Sequence, residues 1–150
     1  IARNQLSDRM ESICADLRAV SLAPGAFDVC ISNPPYFSGG PASCTLPTAR
    51  REDCCTAADL FKSAGKVLKY GGDFYLVHRP ERLAELIARG SEVGLEAKRL
   101  LLLRHKQGGD ISLILLSFRK GGKPGLILEE AALFDNDDHP TDFYKAVYHL

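Results

Sequence analysis

An amide, two prolines and a phenol stand in one row, Asn33-Pro34-Pro35-Tyr36, directly after the apolar run Phe27-Asp28-Val29-Cys30-Ile31-Ser32. The run is rich in strand formers and reads as a buried strand that ends where the first proline removes a backbone donor. Each proline also pushes the residue before it out of the helical region, so the loop is stiff before any ligand arrives. It presents a side-chain amide, backbone carbonyls at two residues that lack an N–H, and an aromatic ring. These groups suit a flat molecule bearing an exocyclic NH2: Asn33 and the Pro34 carbonyl accept its two hydrogens while Tyr36 stacks on its ring. Accepting both hydrogens turns the nitrogen lone pair out of conjugation and toward an electrophile, with no general base required. The bland alternative is a strand followed by a proline-stiffened turn with a surface tyrosine.

The tetrapeptide resembles the (Asn/Asp/Ser)-Pro-Pro-(Tyr/Phe) signature of methyltransferases that move a methyl group from S-adenosylmethionine to adenine N6, cytosine N4, guanine N2 or a glutamine amide. The order of segments around it extends the resemblance. Asp8-Arg9-Met10 precedes an expected short strand, Glu11-Ser12-Ile13-Cys14-Ala15, and then Asp16-Leu17; after the signature come Phe37, Ala49-Arg50-Arg51-Glu52, a helix, Gly71-Gly72, a strand and Pro80-Glu81-Arg82-Leu83. That order is similar to the bacterial tRNA N6-adenine methyltransferases acting on adenine 37 of a valine tRNA. The resemblance implies S-adenosylmethionine as cofactor, with Asp16, Leu17 and Asn33 at its edge. It implies Asn33, Pro34, Pro35 and Tyr36 as the catalytic loop, and Tyr36, Phe37, Arg50 and Arg51 turned toward the base and its tRNA. Guanine N2 of ribosomal RNA, a protein glutamine, and a noncatalytic RNA-binding or scaffolding role are the alternatives.

The chain departs from that family in one respect. A first strand with a Glu-x-Gly-x-Gly turn and a second strand ending in an acidic residue are not in the sequence, and Ile1 to Leu6 look like the tail of the helix that follows the second strand. Residues 1–150 are therefore expected to be the C-terminal portion of one methyltransferase domain. The fold class is α/β, a partial Rossmann-like fold with a mostly parallel sheet and a terminal antiparallel strand.

The elements that must position the loop follow from periodicity. Pro24-Gly25 turns the chain into the strand 27–32. From Thr56, apolar residues at Ala57, Leu60, Phe61, Ala64, Val67 and Leu68 keep helical spacing, with Gly71-Gly72 expected to end the helix. Phe74 to His78 reads as a strand, and Pro80 opens a second helix through Leu83, Leu86 and Ile87 that closes near Gly90 to Gly94. Arg99 to Arg104 and Ile111 to Phe118 form a hairpin about Lys106 to Asp110. Leu126 to Leu128 reads as a short strand, and Phe143 to Tyr148 as a closing helical turn or two. A strand at 11–15 would sit apart from 27–32, so the segment before Asp28 is expected to move in beside it or to pair with another chain, giving a homodimer across the open edge.

Composition sets the bounds. With 45% apolar and 25% charged residues the chain is an ordinary globular one of a single domain. Its most apolar stretch, Ile111 to Phe118, is far too short to span a bilayer, which takes ~20 residues. Five cysteines without a CxxC pair suggest reduced, mostly buried thiols in the cytoplasm. Cys54-Cys55 with His78 or His105 make a poor metal site, and none is expected; His78 reads as a structural histidine at a strand end. Nineteen basic and nineteen acidic residues leave no net charge to mark an RNA surface, but Arg79, Arg82 and Arg104-His105-Lys106 fall at strand ends, where open α/β sheets place ligands.

Overall fold

The computed structural model describes residues 1–34 and 55–149. Five strands form one sheet in the order β1-β2-β4-β3-β5. They are β1 (Phe27–Ser32), β2 (Leu68–His78), β3 (Leu95–Lys106), β4 (Ile111–Lys120) and β5 (Ile127–Phe134). Helix α1 (Ala57–Val67) links β1 to β2, α2 (Leu83–Glu92) links β2 to β3, and α3 (Asp142–Tyr148) closes the chain.

The expected α/β sheet with one opposed strand forms, and its mostly parallel character is met in part. β1 and β2 are parallel, as are β3 and β5, whereas β4 runs against both β2 and β3. Four strands thus share one direction, but the opposed strand lies inside the sheet, and half of the pairings are antiparallel. The opposed strand is inside because β4 inserts between β2 and β3, and the tail, expected to hold only a short strand at 126–128, adds an eight-residue β5 along the outer edge of β3. Arg99 with Glu129 at 2.8 Å and Arg104 with Glu130 at 3.5 Å span that last pairing.

Two expectations fail. Residues 11–15 form no strand, and the segment before β1 does not join the sheet. Met10 and Ile13 remain 52% and 58% exposed, so the segment offers little apolar surface to offset the cost of ordering it as a lone strand. Gly71-Gly72 do not end α1 either. The helix stops at Val67 because Leu68, fully buried, is already extended and paired with Phe27. The glycines instead form a bulge in β2, where Gly71 has φ +80° and a Cβ on Gly72 would lie 2.9 Å from the Asp28 carbonyl oxygen.

The core lies on one face of the sheet. α1 sets Ala57, Phe61, Ala64 and Val67 along a single stripe. The Phe61 ring meets Phe74 and Phe118 edge-on, with centroids 5.3 and 5.1 Å away. Thr56 and Asp59 close a reciprocal capping box at its N-terminus. α2 buries Leu86 on the same face, and Gly90 lets it approach so closely that a Cβ there would stand 2.7 Å from the Phe118 ring. The opposite face carries Val29, Ile31, Tyr75 and Leu115, which are 48%, 81%, 43% and 36% exposed. Among the described residues no helix covers them. Ile31, Tyr75 and Leu115 border a shallow cavity of about 410 Å3.

Candidate active site

β1 delivers the loop to the sheet's edge. The expected strand 27–32 forms with those bounds, and Pro24-Gly25 turns into it through Gly25 at φ +61°, its N–H bonded to the Lys66 carbonyl at 3.1 Å. Ser32 pairs with Leu76 in parallel register, and Pro34 and His78 each lie two residues beyond that last pair, His78 at the end of β2. Alternation then divides the loop between the two faces. Asn33 borders the cavity of the bare face with Ile31, Tyr75 and Val77, whereas Ser32 and Pro34 line a smaller cavity of about 140 Å3 on the helix-covered side. Pro35, Tyr36, Phe37, Arg50, Arg51 and Glu52 lie outside the described residues.

The smaller cavity brings several expected residues together. Leu17 shares its wall with Pro34, Cys55, Thr56 and His78, so the coil that carries Asp16-Leu17 does reach the loop. Asp16 turns its carboxylate to Arg18 instead, accepting from its backbone N–H at 2.9 Å and from its guanidinium at 2.6 Å. Those bonds, the guanidinium first, hold the Asp16 carboxyl down at about 2. Leu17 and Pro34 thus lie with Leu60 and Leu86 on the apolar wall of that cavity. This chain's residues fit one side of S-adenosylmethionine.

His78, read from the sequence as a structural histidine at a strand end, is buried at the end of β2. It is 2% exposed, on a strand face whose preceding members Phe74 and Leu76 are apolar core. Its Nδ1 accepts the Arg79 N–H at 2.8 Å. The available signal was the alternation itself, Phe74, Leu76, then a polar residue where another hydrophobe would serve.

The cationic strand ends are present, and each has an acidic partner. Arg79 meets Glu81 at 3.6 Å, Arg82 meets Glu85 at 2.5 Å, Arg104 meets Glu130, and Lys106 meets Asp138 at 2.9 Å. All four lie at or just beyond the C-terminal ends of β2 and β3, the end where β1 releases Asn33. Contrary to expectation the described cysteines are not mostly buried: Cys14 is exposed, and Cys30 and Cys55 are half-buried thiols. Burial pushes the Cys30 thiol up, away from the reactive thiolate. Asp135, Asp137 and His139 come together in an exposed turn where the Asp135 carboxylate accepts two backbone N–H groups. No helix among the described residues is long and apolar enough to cross a membrane.

This fold recurs among solved structures. A predicted O-methyltransferase of Agrobacterium tumefaciens superposes with a TM-score of 0.73 at 22% identity, over 99% of this chain and 70% of that one. A provisionally named DNA modification methylase of Thermus thermophilus, solved with S-adenosyl-L-methionine, gives a TM-score of 0.51 at 16% identity over 90% of this chain and 60% of that one. This chain shares the fold of those two structures. No protein-family model matches the chain.

Among curated proteins, the chain is similar to proteins named tRNA1(Val) (adenine(37)-N6)-methyltransferase. It is 33% identical to the protein of that name from Bacteroides thetaiotaomicron over 133 residues, 87% of this chain and 55% of that protein. The Shewanella halifaxensis protein is 33% identical over 106 residues, 68% of this chain and 43% of that protein. The chain spans about half the length of the curated relatives it matches.

Proposed function

We propose that the protein to which this chain belongs transfers a methyl group from S-adenosylmethionine to the exocyclic N6 of an adenine in tRNA. The observation that carries the reading is Asn33-Pro34 at the C-terminal end of β1 in a methyltransferase fold, with Leu17 across a cleft from Pro34. Asp16, Leu17 and Asn33 flank the cofactor, which supplies an electrophilic methyl on a sulfonium. The flipped adenine gives its two amino hydrogens to the Asn33 Oδ1 and the Pro34 carbonyl and stacks on Tyr36. The freed nitrogen lone pair forms the new N–C bond in line as the S–C bond breaks, and one amino proton leaves to water. Phe37, Arg50 and Arg51 belong to the base and phosphate side of the same site. Residues 1–150 contribute the later strands of the domain, and the open edge of β1 takes either an earlier strand of the same protein or a second copy. The proposed place of action is the cytoplasm.

Asn33→Ala in the longest in-frame protein containing this chain should cost about 2 to 4 kcal/mol in the transition state while barely changing tRNA affinity, by analogy with loss of one oxyanion donor. Transfer of tritiated methyl to unmodified tRNA measures it. Retention of rate within a few-fold would overturn the reading, and methylation of a protein glutamine or of guanine instead would reassign the substrate.

A further inference from the structure

Resting on that reading, we propose that His78 is a positioning residue: as a neutral imidazole it donates from Nε2 into the wall behind the Asn33-Pro34 loop and fixes the two acceptors that orient the target amine. Four observations on the molecule converge there. Ser32 pairs with Leu76, and Pro34 and His78 each lie two residues beyond that last pair and line the same cavity. Ser32 and Thr56 share its walls. His78 is 2% exposed on a strand face otherwise given to core hydrophobes, and a buried polar ring is retained only where its hydrogen bonds are satisfied. Finally, its Nδ1 accepts the Arg79 N–H at 2.8 Å, and a nitrogen that accepts carries no proton. The neutral ring therefore holds its single proton on Nε2, as a donor on its other edge.

The loop's chemistry explains why a donor is useful here. Asn33 and the Pro34 carbonyl act as acceptors, and an acceptor is aimed by what holds its own backbone. A hydrophobe at position 78 would fill the space without holding anything.

Two amide replacements separate the two edges of the ring. His78→Asn keeps an acceptor near the Nδ1 position, whereas His78→Gln keeps a donor near the Nε2 position. In this chain, long-range proton–nitrogen NMR should find His78 as the Nε2–H tautomer. His78→Leu should shift and broaden the Asn33 side-chain and backbone amides, His78→Gln should restore them, and His78→Asn should not. In the longest in-frame protein, His78→Leu should lower kcat roughly 10- to 100-fold with KM for tRNA and cofactor within about two-fold, as a small misplacement of reacting groups does. Gln should recover most of that loss. Restoration by Asn but not Gln would make His78 a turn acceptor only and overturn the proposal; so would unmoved Asn33 resonances in a folded His78→Leu chain. The NMR readout needs no catalysis, so a failure of the methylation reading at Asn33→Ala is seen separately from a failure here.

Discussion

The two faces of the sheet are built from the same five strands and have opposite fates. On one face Phe74, Leu76, Leu116 and Phe118 are sealed beneath Phe61 of α1 and Leu86 of α2, all six 2% exposed or less. On the other, Val29, Ile31, Tyr75 and Leu115 are apolar yet open. Stability therefore belongs to the first face, and the second is apolar surface of a kind that marks interaction. The loop at the end of β1 divides between them, with Pro34 on the sealed side and Asn33 on the open one.

The sharpest way to break this contrast is to remove equal chemistry from each face. Phe118→Ala should cost about 3 to 5 kcal/mol in urea unfolding, whereas Ile31→Ala should stay within about 0.5 kcal/mol. Equal losses would mean that the open face is covered in solution. A smaller effect tests how closely α2 is seated. Gly90→Ala forces a methyl against the Phe118 ring and the Leu95 carbonyl, and should cost about 1 to 3 kcal/mol although alanine favours helices. Thr56→Ala removes the capping box that starts α1, for a loss of about 1 kcal/mol in the same experiment.

The least effect is expected outside both faces, at the exposed Asp16–Arg18 pair. The folded carboxyl is the stronger acid, at about 2 against an ordinary 3.8. The stability it contributes is present in full above the ordinary value and disappears as pH falls toward about 2. Carbon-detected NMR titration should show the low midpoint, and Arg18→Ala should return it toward 3.8.

Local signals served the sequence reading well where one segment settles its own state. β1 took its expected bounds because a strand-forming run meets proline, and α1 and α2 followed their apolar spacing and start signals. The hairpin of β3 and β4 formed about its glycines, though both strands run longer than their apolar cores. What failed depends on distant partners. Ile13 and Cys14 favour a strand, but a strand exists only beside another. Gly71-Gly72 suit a helix end and a bulge equally, and the pairing of Leu68 with Phe27 decided between them. The strand expected at 126–128 runs on through Glu129 and Glu130 to Phe134, with Arg99 and Arg104 across from the two acids. Asn33 and Pro34 follow β1 as the sequence placed them, and Leu17 comes to the same small cavity as Pro34. In sequence His78 reads as a structural histidine at a strand end, and its place beside Pro34 in one cavity had to be seen.

β4 is bonded on both flanks, by β2 and β3, whereas β1 is bonded only to β2 among the described residues. Amides of β1 that face away from β2 have no ladder to shield them, so deuterium should enter this strand long before it enters β4. The strand from which Asn33 hangs thus opens before the interior of the sheet. A further strand laid along that margin would slow the exchange and steady the loop in one act, tying completion of the sheet to readiness of the site.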